Sequence, residues 1–224
     1  MVVSPKFDSL GQDDEYTQYR LGIMGGTFDP IHIGHLQCAE EVREAFGLDG
    51  VLFIPAGDPW MKHDRCVTPA EMRYEMCARA VADNPYFDVS RIEIDRPGET
   101  YTVDTLRELR AFYPHNVQLF FISGADAIFN IMKWRESDEI PRLAQVVAMT
   151  RPGYVLSDSR QRYMRTHANF GTIMQKQVTA LSISSTDLRK RVSQGKSIRY
   201  LTPASVAAYI AENGLYGSTN THGN

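Results

Sequence analysis

LGIMGGTFDPIHIGHLQ, residues 21–37, is the stretch from which the rest of the chain can be read. Residues 21–24 are short and apolar enough for a buried parallel strand, and Gly25-Gly26 then allows backbone angles that a β-carbon forbids, so a sharp turn is expected at the strand's end. A helix should follow from residues 33–35 to about Phe46. Leu36, Ala39, Val42 and Phe46 recur near the 3.6-residue period, and Gly47 supplies a C′ stop. At the start of that helix, N–H groups without intrahelical partners and the positive end of the dipole favour an anion. His32 and His35 share one face of the entering turn and can both address the same phosphate.

A glycine pair before a helix is also an ordinary βα turn. Two His, a Pro and three Gly within eleven residues, however, fit neither a cap nor a core. Zinc fits poorly, because the histidines are spaced i, i+3 instead of the i, i+4 of HExxH and no Cys lies close enough to complete a tetrahedral set. The pattern is neither GxxxxGK[ST] nor GxGxxG, which removes most support for hydride chemistry on a dinucleotide.

GGTFDPIHIGH, residues 25–35, is similar to the signature of the HxGH nucleotidylyltransferases, and within them the chain most closely resembles the nicotinate-nucleotide adenylyltransferases over about residues 20–216. The resemblance implies adenylyl transfer from ATP to nicotinate mononucleotide on a Rossmann-like sheet, with magnesium and release of pyrophosphate. It assigns ATP to Gly25, Gly26, Thr27, Phe28 and His35, and catalytic roles to His32 and His35.

Composition sets the outer limits. With 224 residues and 43% apolar content the chain can bury a sizeable core, and its size suits one α/β domain. A net charge of −3 gives no basic field for nucleic acid. Cys38, Cys66 and Cys77 form no CxxC pair and read as reduced thiols. No apolar run approaches a membrane span and the start has no signal-peptide core, so a cytoplasmic protein without membrane partners is expected, with a homodimer left open. Residues 1–19 carry four acids against one Lys and no clear period, which suggests a poorly ordered leader; residues 217–224 read as a polar tail.

Along the chain, residues 51–54 form a second apolar strand, and the loop after it carries Trp60, Lys62 and His63 where ligands sit in open α/β sheets. The family commonly has PPHK here. This chain has Pro59-Trp60-Met61-Lys62, so Lys62 carries over as a mononucleotide ligand and that histidine has no counterpart. Thr68-Pro69-Ala70-Glu71 reads as a capping box for a scaffold helix over residues 69–82, burying Met72 and Met76. Residues 87–94 alternate as a strand. Thr100 to Leu106 matches the family's TYTxxTL, which implies that Tyr101 and Thr102 offer donors to the nicotinate carboxylate and so favour acid over amide.

Residues 117–123 are the most apolar strand and should lie beside the first one in a doubly wound parallel sheet of order about 3-2-1-4-5. Gly124 and Asp126 follow at the switch point, where an acid can bind a ribose, then a short helix to Met132; matching the family's GxD…W, Trp134 would stack on the nicotinate ring. Residues 144–150 read as a strand, 158–169 as a surface helix and 173–178 as another strand. Ile183, Ser184, Ser185, Thr186 and Arg189 match the family's second signature, ISSTxLR. Hydroxyls in excess of a cap, and five Lys or Arg against one acid between residues 186 and 200, suggest a second phosphate cradle with Arg189 as its clamp. No carboxylate cage stands out, so Mg²⁺ should ride on the ATP phosphates.

Overall fold

The central strands of this chain are largely apolar, as expected where helices cover both faces of a sheet. The computed structural model describes residues 3–58, 67–128, 130–153, 173–179 and 181–217. It has six strands, β1 (Tyr19–Gly26), β2 (Gly50–Pro55), β3 (Phe87–Val89), β4 (Val117–Gly124), β5 (Gln145–Thr150) and β6 (Met174–Gln177). All pairings are parallel and the order is β3-β2-β1-β4-β5-β6, which extends the expected order by one edge strand. Among the described residues the helices are α1 (Ile33–Phe46), α2 (Ala70–Val81), α3 (Thr102–Phe112), α4 (Ala125–Ile128) and α5 (Ile140–Leu143) between strands, and α6 (Ser185–Ser193) and α7 (Ala204–Glu212) after the last one.

Alternation along the strands sorts the core into two. Leu21, Ile23, Leu52 and Phe121 face α3 and its neighbours, whereas Met24, Val51, Phe53 and Ile122 face α1, α2, α6 and α7. On that second face Gly22 is needed for close approach: a Cβ there would sit 2.9 Å from Ile122 and Leu48. Gly47 ends α1 in the left-handed region at φ 58°, as its position in the sequence suggests.

Several expectations are corrected. The leader is packed: Val3 and Phe7 are buried, Phe7 lies on Gly50, and Ser4 Oγ donates to Asp88 at 2.5 Å. Asn116 Nδ2 donates to the carbonyls of Gly11, Asp14 and Thr17, which ties the segment to the start of β4. A polar segment with two apolar anchors needs only two places to seat them. The third strand stops at Val89, because residues 91–95 coil into a turn closed by Ile94 and Asp95 N–H groups on the Arg91 carbonyl.

Before α2, Pro69 is the N-cap and no capping box forms. Arg73, not Met72, heads the buried face with Met76, Cys77 and Ala80, and its Nε donates to the Thr68 carbonyl. The helix after Gly124 ends at Ile128, and a single 3₁₀ turn, Ile131–Lys133, replaces its continuation. Trp60, Lys62, His63, Cys66, the helix expected over 158–169 and nearly all of the polar tail lie outside the described residues.

Candidate active site

The carboxyl ends of β1 and β4 form the floor of two cavities that share Gly25, Gly26 and Ser123. This is the switch point of the sheet, where crossovers leave in opposite directions and ligands lodge.

The larger cavity, of about 410 Å³, lies between the starts of α1 and α6. Gly25, Gly26, Phe28, His32, His35, Gly124, Ile183, Ser184 and Ser185 line it, so both signatures face one space. Neither glycine of the pair takes a positive φ, contrary to the reason expected for them. The left-handed residue is Phe28, at φ 47°, and its ring packs so closely on Gly26 that a Cβ there would approach it to 2.9 Å. The constraint at Gly26 is therefore space, with the backbone strain held two residues later at Phe28.

His32 and His35 stack with ring centroids 3.6 Å apart and 18° between planes. The His32 N–H donates to His35 Nδ1 at 3.2 Å, so a neutral His35 carries its proton on Nε2. His32 is 6% exposed, and burial pushes its pKa down to about 4, which keeps it neutral at physiological pH. Two stacked imidazoles avoid like-charge repulsion this way and still act as hydrogen-bond donors. The α1 start is less open than expected, because the Ile33 N–H is bonded to the Leu201 carbonyl at 3.0 Å.

Hydroxyls of the second signature have partners of their own. Ser184 caps α6 by accepting from the Asp187 N–H, Ser185 Oγ donates to the Pro30 carbonyl at 2.8 Å, and Thr186 Oγ1 accepts from Arg189. Arg189 Nη1 donates to the Asp29 carbonyl at 2.7 Å, and Tyr216 OH donates to Asp29 Oδ1 at 2.6 Å. The two signatures, distant in sequence, are thus stitched side by side. Thr186, Arg189 and Asp126 are not among the residues lining either cavity; Asp126 is exposed in the first turn of α4.

The smaller cavity, of about 270 Å³, is lined by Thr27, Glu93, Tyr101, Thr102, Trp134 and Arg135 among others, which places Thr27 here and not with the larger cavity. Tyr101 is the N-cap of α3, no side chain caps that helix, and the Asp104 N–H bonds to the Tyr101 carbonyl at 3.1 Å. Trp134 is half-buried and lies edge-on to Phe121, with ring centroids 6.1 Å apart. Glu93 is buried, accepts from Thr105 Oγ1 at 2.7 Å, and has its carboxyl pKa raised by desolvation.

Glu93, Arg135, Ser123 and Arg73 escape the sequence reading. Arg73 is 1% exposed and donates to the carbonyls of Thr27, Gly57 and Thr68, bracing the loops after β1 and β2 from below. A visible signal existed only for Arg73, an arginine on the i, i+3, i+4, i+7 stripe with Met76, Cys77 and Ala80. Among the described residues no three His, Cys, Asp or Glu side chains are grouped to hold a metal. The donors facing the larger cavity are imidazoles, hydroxyls and the Arg151 guanidinium, which suit phosphate oxygens.

A family model described as cytidylyltransferase-like matches residues 23–191. A Salinispora arenicola protein named probable nicotinate-nucleotide adenylyltransferase is 53% identical over 86% of this chain and 99% of its own length. A Thermoanaerobacter protein of the same name is 47% identical over 92% of this chain and 98% of its own. The fold resembles that of Plasmodium falciparum nicotinic acid mononucleotide adenylyltransferase complexed with NaAD, with a TM-score of 0.72 at 18% identity over 90% of this chain and 99% of that one. A sheet whose switch point is flanked by the GGTFDPIHIGH loop and the ISSTDLR turn, together with identities near one half across nearly whole relatives, means that the chain belongs to the nicotinate-nucleotide adenylyltransferase family.

Proposed function

We propose that the chain transfers the adenylyl group of ATP to nicotinate mononucleotide, giving nicotinate adenine dinucleotide and pyrophosphate. The observation that carries this reading is the shared floor: cavities suited to a triphosphate and to an aromatic ring meet at Gly25, Gly26 and Ser123. ATP then belongs to the larger cavity, with Gly25, Gly26, Phe28, His35, Gly124, Ile183, Ser184 and Ser185 around it. Thr27, Asp126, Thr186 and Arg189 do not line that cavity and are assigned to ATP by the signatures they belong to. The mononucleotide belongs to the smaller cavity, its ring against Trp134, its carboxylate at Tyr101 and Thr102, and Lys62 contributed by the loop after β2.

The mononucleotide phosphate, already an anion, attacks the α-phosphorus in line. One P–O bond forms as the bond to pyrophosphate breaks, and no protein base has to remove a proton. His35, His32 and Arg189 stabilise charge growing on the leaving pyrophosphate and hold the reactants aligned. Mg²⁺, bound to the ATP phosphates, supplies further charge neutralisation there. Free Cys38 and Cys77 agree with a reducing cytoplasm, and no helix among the described residues is long and apolar enough to cross a membrane.

The test is pyrophosphate release from Mg-ATP with the acid and amide mononucleotides side by side. The acid is expected to react at least tenfold faster. His35→Ala should lose more than tenfold, or about 1.4 kcal/mol of transition-state stabilisation. Equal rates with the amide would move the chain to a related adenylyltransferase specificity, and no pyrophosphate at all would make it a nucleotide-binding regulator.

A further inference from the structure

Arg135 reaches the smaller cavity from the turn after Trp134, and no motif in the sequence marks it. Its guanidinium carbon sits 4.9 Å from the centroid of the Tyr101 ring, which orients the plane of the fork. Asp104 and Glu136 pair with it at 3.8 and 3.6 Å, farther than the roughly 2.7–2.9 Å of a charge-assisted hydrogen bond, so its charge is balanced while its N–H groups make no hydrogen bond to either carboxylate. Glu136 takes a left-handed backbone at φ 47° and is gripped by Arg107, a strained turn directly beside the two cavity residues Trp134 and Arg135.

The start of α3, which no side chain caps, lies beside Arg135, with Tyr101 under the guanidinium and Asp104 in the first helical turn. A carboxylate in the cavity at that helix end meets the positive end of the dipole and, alongside it, a planar guanidinium that takes its two oxygens together. An amide offers one acceptor and turns an NH₂ toward donors. Glu93 also lines the cavity, but the Thr105 hydroxyl is bonded to it.

We propose that Arg135 is a specificity-determining residue that selects the acidic over the amide ring substituent by pairing with the nicotinate carboxylate on the fork that Tyr101 orients. This rests on the smaller cavity being the mononucleotide site. Tyr101 and Thr102 then provide the helix-end half of the recognition and Arg135 the cationic half.

The experiment measures kcat/KM for both mononucleotides at saturating Mg-ATP in the parent, Arg135→Gln, Arg135→Lys and Trp134→Ala. Arg135→Gln is expected to lower the acid-to-amide ratio about tenfold, mainly through KM for the acid. Arg135→Lys, which keeps the charge and loses the fork, should recover part of that ratio. A parallel loss with both substrates would mean that Arg135 serves the phosphate or merely packs on Tyr101, and an unchanged ratio would mean that it does not read the ring; either overturns the proposal. Trp134→Ala separates the two levels. If it leaves both KM values unchanged, the cavity assignment fails and this proposal with it; if it raises both while Arg135→Gln leaves the ratio intact, only the proposal fails.

Discussion

His32 stacks on His35 and packs so closely on Gly34 that a Cβ there would come within 3.2 Å of Nδ1. Burial lowers its pKa from 6.5 to about 4, so below pH 6.5 the unfolded chain takes up a proton that the folded one refuses. Stability from this group is complete above that pH and is lost as pH falls toward 4, by up to about 2 kcal/mol between pH 6.5 and 5. His32→Asn should flatten the pH dependence of the urea midpoint over that interval. An unchanged slope would show that His32 is not the group responsible. The histidine pair and its spacing were plain in the sequence. Its neutrality was not, because desolvation depends on what Phe28, Gly34 and the second signature bring around it. The same holds for Arg135 and Glu93, ordinary charged residues until the fold points them into one cavity.

At the scale of elements, periodicity located β1, α1, β2 and β4 well, since each has an apolar pattern bounded by glycine or a loop. It misjudged segments whose order comes from distant partners. Phe7 fills the space above Gly50, where a Cβ would come within 2.2 Å of its ring, and Asn116 collects three leader carbonyls. Nothing within residues 1–19 reports those partners. Phe7→Ala is expected to cost roughly 3–4 kcal/mol in chemical denaturation, the usual price of emptying a buried aromatic site. Its kcat should stay near the parent value, because Gly50 opens β2 at the end of the sheet opposite the cavities. A stability change below about 1 kcal/mol would mean that the segment is only loosely attached. The lost capping box has a similar cause: Arg73 draws the Thr68 carbonyl inward and fixes how α2 begins.

In the whole molecule, the crevice exists because two chain segments 155 residues apart meet at the Ser185–Pro30 hydrogen bond and leave a cavity between them. Filling it should stabilise the entire domain. Mg-ATP at a hundred times its Kd is expected to add about 2.7 kcal/mol. At roughly 2–4 °C per kcal/mol for a domain of this size, Tm should rise by about 5–10 °C in a thermal melt. A shift under about 2 °C at such concentrations would leave the cavity without its ligand. The sequence by itself determined the parallel α/β architecture, the order of its central strands and the two phosphate signatures, because hydrophobic period, turn glycines and clustered donors are local properties of the chain. Only the tertiary structure decided that the hydroxyls of one signature bind the backbone of the other, that the leader is anchored, and which charges face the ring cavity. Those depend on contacts between residues far apart in sequence, where burial and geometry are set by the packed sheet and not by neighbours along the chain.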